Sequence, residues 1–165
     1  MRIYLLRHGS AEQRAGGADS PGRQLVAKGR EQCRLAADLF LRMELRFDGA
    51  LTSPYLRARQ TAEAVLEGSR QQVPLAEDKR LVPGASPSAA FEAILAVKAS
   101  RLLVCGHEPL LSDLAAQLIG APSAALTLKK GGIVELELWQ PRPARAALRG
   151  WLRPAHLRAA RASDR

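Results

Sequence analysis

The sequence predicts a single-domain α/β protein, a three-layer sandwich with a mostly parallel central sheet and helices on both faces. The first observation behind this fold class is a pair of short apolar runs, RIYLL at 2–6 and RLLVC at 101–105, which are typical of buried inner strands. The second is that segments of helical periodicity alternate with strand-like segments along the chain. The third is length, because 165 residues can bury one core but are too few for two.

The first strand is followed by a long helix. The loop GADSPGR at 17–23 leads from the strand at 2–6 into this helix, which is predicted from about Val26 to Leu45. Three- and four-residue spacing places the apolar residues on one helix face. They are Leu35, Ala36, Leu39, Phe40 and Met43.

The middle of the chain contains two further strands and two further helices. A short strand in DGALTSP ends at Ser53 and Pro54, which we interpret as a strand exit and a helix start. The helix YLRARQTAEAVLEG opens after that proline and stops at Gly68. VPLAED is a weak strand, and Pro87 lies in the first turn of the helix that continues through SAAFEAILAVK.

The last part of the chain changes character. The strand at 101–105 ends at Gly106, and the helix EPLLSDLAAQLIG closes at Gly120. GGIVELELW alternates apolar and polar residues, which predicts a half-exposed strand, and AALRGWLR predicts one more. Residues 1–152 form the predicted domain, and residues 153–165 a basic, flexible tail. The arginines of this tail are Arg153, Arg158, Arg161 and Arg165.

Charge and cysteine content suggest the setting of the protein. The formal net charge of +9 comes mainly from arginine, which favours acidic or phosphorylated partners or reflects an arginine-rich composition throughout. Cys33 and Cys105 lie in a predicted helix and an inner strand, so we expect reduced thiols. The apolar run before Arg7 is too short for a signal peptide, and no segment is long enough for a membrane span. These observations predict a soluble, cytoplasmic protein.

Cationic side chains follow three of the predicted strands. Arg7 and His8 end the first strand, His107 ends a later inner strand, and Arg57 lies in the first turn of the helix after LTSP. A single histidine or arginine at a strand end is usually a surface or capping residue. Because ligands of parallel sheets bind beyond the carboxyl ends of the strands, the joint pattern predicts a binding or catalytic site there.

Three segments of the chain resemble a known family. LLRHGSAE, LTSPYLRARQTAE and LLVCGHEPLLSDL are similar, in this order and spacing, to the signature segments of the histidine phosphatase superfamily, which has the phosphoglycerate-mutase-like fold. The resemblance extends from Met1 to about Trp139. The short chain, the segment RQLVAKGREQ and the loop LVPGASP most resemble the SixA branch of small phosphohistidine phosphatases.

The chemistry of phosphoryl transfer agrees with this resemblance. Arg7, Arg57 and His107 supply N–H donors for the three equatorial oxygens of the transferred group. His8 is then the nucleophile that forms a phosphohistidine intermediate, and the neighbouring guanidinium groups help to keep it neutral. Gly9 lets the chain turn closely beneath the imidazole. We also predict that Gly9 is a substrate-binding residue.

One further arginine is a candidate substrate-binding residue. Arg23 matches an arginine of the family's next segment and is either a residue at the rim of the site or a solvated loop arginine. The histidines and cysteines have no recognisable metal-ligand spacing, so we expect a metal-independent enzyme without a cofactor.

Departures from the family pattern bear on the substrate. Family members that act on phosphate esters commonly use a carboxylate general acid, but Pro83 and Gly84 stand where we expect it. Glu108 is interpreted as a first-turn helix carboxylate. The stretch between Arg57 and His107 holds two helices and two strands, with no residues left for a large lid.

Three functions stay open at this point. The first is a phosphohistidine phosphatase that acts on a histidine phosphotransfer protein, and an open, shallow site favours it. The second is a phosphatase or mutase of a small phosphate ester. The third is a non-catalytic module that binds polyanions. We expect a monomer that binds neither nucleic acid nor membranes.

Overall fold

A central β-sheet forms the middle layer of the molecule. The structure is a computed structural model that describes residues 1–17, 19–123 and 125–162. In these residues the sheet has six strands in the order β3-β2-β4-β1-β5-β6. The first four in this order are parallel, β5 is antiparallel to β1, and β6 is antiparallel to β5. The mostly parallel sheet that the sequence predicts is therefore confirmed. The strands are β1 (Arg2–Arg7), β2 (Gly49–Thr52), β3 (Leu75–Glu77), β4 (Arg101–Gly106), β5 (Ile133–Pro141) and β6 (Ala144–Leu152).

Helices cover both faces of the sheet. Successive side chains of β1 point to opposite faces, so Ile3 and Leu5 pack in one half of the core and Tyr4 and Leu6 in the other. The first half of the core includes α3 and α4, and the second includes α1, α2 and α5. This arrangement is the predicted three-layer sandwich. The helices are α1 (Ala27–Arg42), α2 (Leu56–Gly68), α3 (Pro87–Ala96), α4 (Leu110–Ile119) and α5 (Pro154–Ala162).

Helix boundaries follow local capping chemistry. The Ser86 hydroxyl accepts a hydrogen bond from the Ala89 amide at 3.2 Å and caps α3, with Pro87 at the first helical position. Gly120 has a φ of 70° and closes α4 as predicted. The first helix ends three residues before the predicted Leu45, because Glu44 adopts a φ of 50° and reverses the chain.

Both cysteines are buried and free. Burial raises the pKa of the Cys33 thiol to about 11 and raises that of Cys105 well above its ordinary value. The reduced thiols predicted by the sequence are therefore also unreactive at neutral pH.

The end of the chain differs from the predicted flexible tail. Residues 154–162 form α5, and Leu157 is only 3% exposed in the half of the core that α1 and α2 cover. The guanidinium of Arg161 lies 3.9 Å from Glu31 and 3.4 Å from Asp38, both in α1. In a helix, Pro154 and Leu157 lie on the same side and form a small apolar surface. The basic composition of the segment does not predict this surface. Arg165 lies outside the described residues.

The topology determines which chain segments meet at one edge. The carboxyl ends of the parallel strands β1, β2 and β4 lie side by side, and the antiparallel β5 begins at the same edge. In the described part of the chain, no helix combines the length and hydropathy needed to cross a membrane.

Candidate active site

Three of the predicted side chains meet beyond the carboxyl ends of β1, β2 and β4. His8 directly follows β1, His107 directly follows β4, and Arg57 lies in the first turn of α2, which follows β2. Their exposed fractions are 6%, 2% and 2%, so the group is almost completely buried. The two imidazole rings lie 5.0 Å apart between centroids. The structure therefore brings together the residues that the strand ends predict.

Arg57 joins the two histidines. Its Nε donates to Nε2 of His8 and its Nη2 to Nδ1 of His107, both at 3.3 Å. On its outer edge, Nη1 donates to the Ser20 carbonyl at 3.1 Å and Nη2 to Oδ2 of Asp19 at 2.8 Å. A guanidinium group has donors only, so the ring nitrogens that it faces are acceptors.

The hydrogen bonds of His8 define its tautomer. Its Nδ1 lies 2.7 Å from the Gly9 carbonyl, which accepts only, so the proton is on Nδ1 and Nε2 carries a lone pair. Burial is the largest cause that lowers the pKa of His8, to about 3, and the nearby charges of Arg57, Arg7 and Lys130 add to it. The imidazole is therefore neutral at pH 7, and its lone pair is on Nε2, the nitrogen that accepts the hydrogen bond from Arg57.

His107 is held in the opposite tautomer. Its Nδ1 accepts from Arg57, so its Nε2 carries the proton and donates to the Ser53 hydroxyl at 2.9 Å. Burial, followed by the charges of His8 and Arg57, lowers its pKa to about 3. Ser53 is fully buried, and the interpretation of this residue as a strand exit alone misses its contact with the histidine.

The loop that carries His8 is packed tightly against α1. A Cβ atom on Gly9 would lie 2.8 Å from the Gly29 carbonyl oxygen, so this position admits only glycine. The Gly9 amide donates to the Thr61 hydroxyl at 3.0 Å, and that hydroxyl donates to the Arg57 carbonyl at 2.6 Å. Gly9 thus joins the histidine loop to α2, and its amide is already used within the protein.

Arg7 and Glu108 line the same cavity as the two histidines, and their charges interact. Nη1 of Arg7 donates to the Leu128 carbonyl at 2.6 Å, whereas its buried Nε has no hydrogen-bond partner in the described residues. Glu108 precedes α4 rather than lying in its first turn, and its Oε2 accepts from the Ser112 hydroxyl at 2.6 Å. Burial raises the pKa of the Glu108 carboxyl, although Ser112 and Arg7 partly oppose the shift.

A cavity of about 230 Å³ contains these groups and several that the sequence does not single out. A wider groove of about 590 Å³ beside the end of α2 contains none of the candidate residues. The additional side chains in the cavity are Arg14, Asp19 and Lys130, which come from loops without a recognisable sequence signal. Its lining residues are Arg7, His8, Arg14, Asp19, Arg23, Arg57, Pro83, His107, Glu108 and Lys130.

Asp19 joins two arginines at the rim. Its Oδ1 lies 2.7 Å from Nη1 of Arg23 and its Oδ2 lies 2.8 Å from Nη2 of Arg57. Burial by itself would raise the pKa of Asp19, but the hydrogen bonds from Arg23 and Arg57 outweigh it and lower this pKa. Nε and Nη2 of Arg23 also donate to the Glu12 carbonyl. Arg23 therefore lies at the rim, as one of the two sequence interpretations expects, with its donors partly occupied.

The donor set offers no metal site in the described ranges. Within residues 1–17, 19–123 and 125–162, no three histidine, cysteine or carboxylate side chains group closely enough to hold a metal ion. The site instead combines cations with neutral imidazoles, a set that suits an anionic ligand.

Known proteins resemble the chain in sequence and fold. A model of the histidine phosphatase superfamily (branch 1) matches residues 3–82. An uncharacterized protein of Picosynechococcus is 35% identical over 144 residues, which cover 82% of this chain and 84% of that protein. Phosphohistidine phosphatase SixA of Escherichia coli is 30% identical over 125 residues, which cover 72% of this chain and 74% of SixA.

A solved structure extends the likeness to the fold. The structure of the protein histidine phosphatase SixA complexed with tungstate superposes with a TM-score of 0.82 at 25% identity, and covers 95% of this chain and 99% of its own. Since sequence and fold agree over most of both chains, the chain belongs to the histidine phosphatase superfamily, in its SixA-type branch.

Proposed function

We propose that the protein removes phosphoryl groups through a covalent phosphohistidine on His8, and that its substrate is a phosphohistidine side chain of a histidine phosphotransfer protein. The observation that supports this most is the state of His8. It is a neutral imidazole whose Nε2 lone pair lies beside Arg57 in a cavity lined by cations. A nucleophile for phosphorus needs such a lone pair, whereas simple anion binding does not.

In the first step, Nε2 of His8 attacks the phosphorus of the bound substrate. A new N–P bond forms as the bond between phosphorus and the substrate nitrogen breaks. The substrate ring is protonated on its other nitrogen, so it keeps the electron pair of the broken bond and leaves as neutral imidazole. Arg57 gives up its contact with Nε2 and donates to the phosphoryl oxygens, together with Arg7. His107 donates as well once its ring proton is on Nδ1 and the Ser53 hydroxyl donates to its Nε2 instead. The Gly9 carbonyl stabilises the positive charge that develops on the His8 ring, because it already accepts the Nδ1 proton.

In the second step, water hydrolyses the phosphohistidine. The water oxygen bonds to phosphorus and the N–P bond to His8 breaks, with its electron pair returning to Nε2. Inorganic phosphate leaves with both hydrogens of the water, and His8 is again a neutral imidazole with its proton on Nδ1. Every group used in both steps belongs to the protein or the solvent, so the proposed reaction is independent of a metal ion.

The leaving group supports phosphohistidine as the substrate. An alkyl phosphate ester expels an alkoxide that needs an acid, whereas imidazole, with a pKa of about 6.5, is a good leaving group when protonated. Position 83 is proline, so no carboxylate acts from there. The relative of known function that is 30% identical is itself named a phosphohistidine phosphatase.

Glu108 favours a second candidate function, a phosphatase of small phosphate esters. This carboxyl lines the cavity, and burial raises its pKa, so it has two of the properties that a general acid needs. We rank this function second because Oε2 is occupied by Ser112, although the buried Oε1 has no hydrogen-bond partner in the described residues.

The decisive experiment measures kcat/KM for phosphohistidine protein and for phosphate esters of rising leaving-group pKa. We expect a steep decline along the ester series, poor turnover of phosphosugars and little effect of Glu108→Gln. A flat profile that becomes steep in Glu108→Gln would instead identify the ester phosphatase.

In the same preparations, brief incubation with substrate should leave phosphate on His8, stable in alkali and lost in acid, and His8→Ala should abolish it. A label on Cys105 would contradict the mechanism.

A further inference from the structure

The segment that precedes β5 is bonded directly to the chain that carries Arg7 and His8. The Gly131 amide donates to the Arg7 carbonyl at 3.0 Å, and the Arg7 amide donates to the Gly132 carbonyl at 3.1 Å. The side chain of Arg7 also donates to the Leu128 carbonyl at 2.6 Å. Lys130 lies inside this bonded segment and lines the mouth of the cavity. Its place beside the candidate nucleophile is therefore determined by the backbone.

A glycine and a glutamine fix the path of this segment. Gly131 has a φ of 73°, and a Cβ atom there would lie 2.7 Å from Cβ of Gln32. Gln32 is itself anchored, since its Oε1 accepts from the Ser10 amide at 2.8 Å in the loop after His8. The segment with Lys130 thus packs closely against the side chain that anchors the loop after His8.

The charges that act most strongly on Lys130 are of its own sign, although Asp19 and Glu108 line the same cavity. Burial is the largest cause that lowers its pKa, and the charges of Arg7, Arg23, Lys28 and Arg57 lower it further. Within residues 1–17, 19–123 and 125–162, its ammonium group forms no ion pair and no hydrogen bond. The carboxylate of Asp19 is bonded to Arg23 and Arg57 instead. A cation among cations is stabilised when an anion enters between them.

We propose that Lys130 binds the substrate's phosphoryl group, as a further charged contact beside Arg7, Arg57 and His107. This inference rests on the phosphatase function proposed above. Lys130 already lowers the pKa of His8 through its charge, so it lies within electrostatic reach of the nitrogen to which the phosphoryl group is transferred. Its ammonium is on a flexible stem at the exposed mouth of the cavity and can follow the anion as it moves toward His8.

The test compares Lys130→Met with Lys129→Met, since Lys129 is also exposed but does not line the cavity. Calorimetry with inorganic phosphate as the ligand should show affinity reduced about tenfold or more in Lys130→Met, the loss of one charged contact. Lys129→Met should bind phosphate as the unmodified protein does, and Lys130→Arg should retain most of the affinity. Equal melting temperatures verify that all variants are folded.

Kinetics with p-nitrophenyl phosphate give a second readout. The alkaline limb of kcat/KM should lie below pH 10.5, the ordinary pKa of lysine, and move to higher pH in Lys130→Arg, because guanidinium stays charged. Phosphate affinity that is the same in Lys130→Met and Lys129→Met would overturn the proposal. So would a loss confined to protein substrates, which would assign Lys130 to the partner surface. If phosphohistidine is not hydrolysed but phosphate binding still depends on Lys130, the proposed function fails and this inference stands.

Discussion

At the scale of single residues, the guanidinium group of Arg57 is anchored by the loop at one edge and faces the two histidines at the other. The Ser20 carbonyl and Asp19 hold the outer edge, so the inner Nε and Nη2 hydrogens point at His8 and His107. The guanidinium is thereby oriented before any substrate arrives. Such preorganised donors stabilise a transition state without a cost of reorganisation during the reaction.

The contrast between two arginines tests this role. Arg57→Ala should lower kcat/KM. The decrease should correspond to on the order of 2.7–4 kcal/mol of lost transition-state stabilisation, the effect of removing one oxyanion donor. Arg23→Ala should cost much less, because Arg23 already donates to the Glu12 carbonyl and Asp19 at the rim. Steady-state kinetics with an aryl phosphate measures both values. Similar losses in the two variants would show that the inner contacts are wrongly assigned.

At the scale of elements, hydrophobic periodicity identifies strands and helices but conceals short basic helices. β1 and β4 are continuous apolar runs because both faces of a parallel inner strand are buried, and they are found at the predicted positions. α5 is missed because its buried residues Pro154 and Leu157 lie in a segment that otherwise consists of alanine, arginine and one histidine.

The contribution of α5 can be measured at Leu157. This side chain is 3% exposed, so Leu157→Ala should lower the free energy of unfolding by about 2–5 kcal/mol. The exposed Arg158→Ala in the same helix should change it little. No residue of α5 lines the cavity, and both variants should keep kcat for a small substrate below their melting temperatures. Urea unfolding followed by circular dichroism provides the measurement, and equal stabilities would show that α5 does not pack as described.

At the scale of the whole molecule, two buried neutral imidazoles make folding depend on pH. The pKa values of His8 and His107 are lowered to about 3, against an ordinary value of 6.5 in the unfolded chain. Between these values the unfolded chain binds more protons, so the free energy of unfolding should fall as the pH decreases from 6.5 toward 3. The contribution of the two neutral histidines to the free energy of unfolding is fully present only above pH 6.5.

Urea unfolding at about pH 7 and pH 5 tests this dependence, because most carboxyl groups stay ionised at both. His107→Asn should lose part of the difference in unfolding free energy between the two pH values. His156→Asn removes an exposed histidine and should keep the full difference. An unchanged difference in His107→Asn would mean that the imidazole is charged in the folded protein.

The sequence predicts the parts of the site that depend on parallel strands better than those that depend on loops. His8, Arg57 and His107 are found because each follows a strand whose end must lie at the shared edge. Asp19 and Lys130 are missed, since one lies in a loop and the other precedes a strand whose antiparallel pairing is not evident from its residues. The role of Ser53 depends on a contact with a residue far along the chain, which periodicity does not report.

The shared hydrogen bonds of Arg57 also bear on how the enzyme empties its site. When phosphate departs, the Nε and Nη2 hydrogens that it held are accepted again by the ring nitrogens of His8 and His107, while Asp19 keeps its place throughout. Neither of these two Arg57 hydrogens is then left buried without an acceptor, and each such unpaired donor would cost about 1–3 kcal/mol. When the product dissociates, these donors exchange one acceptor for another and lose none, which favours rapid turnover in a site lined by cations.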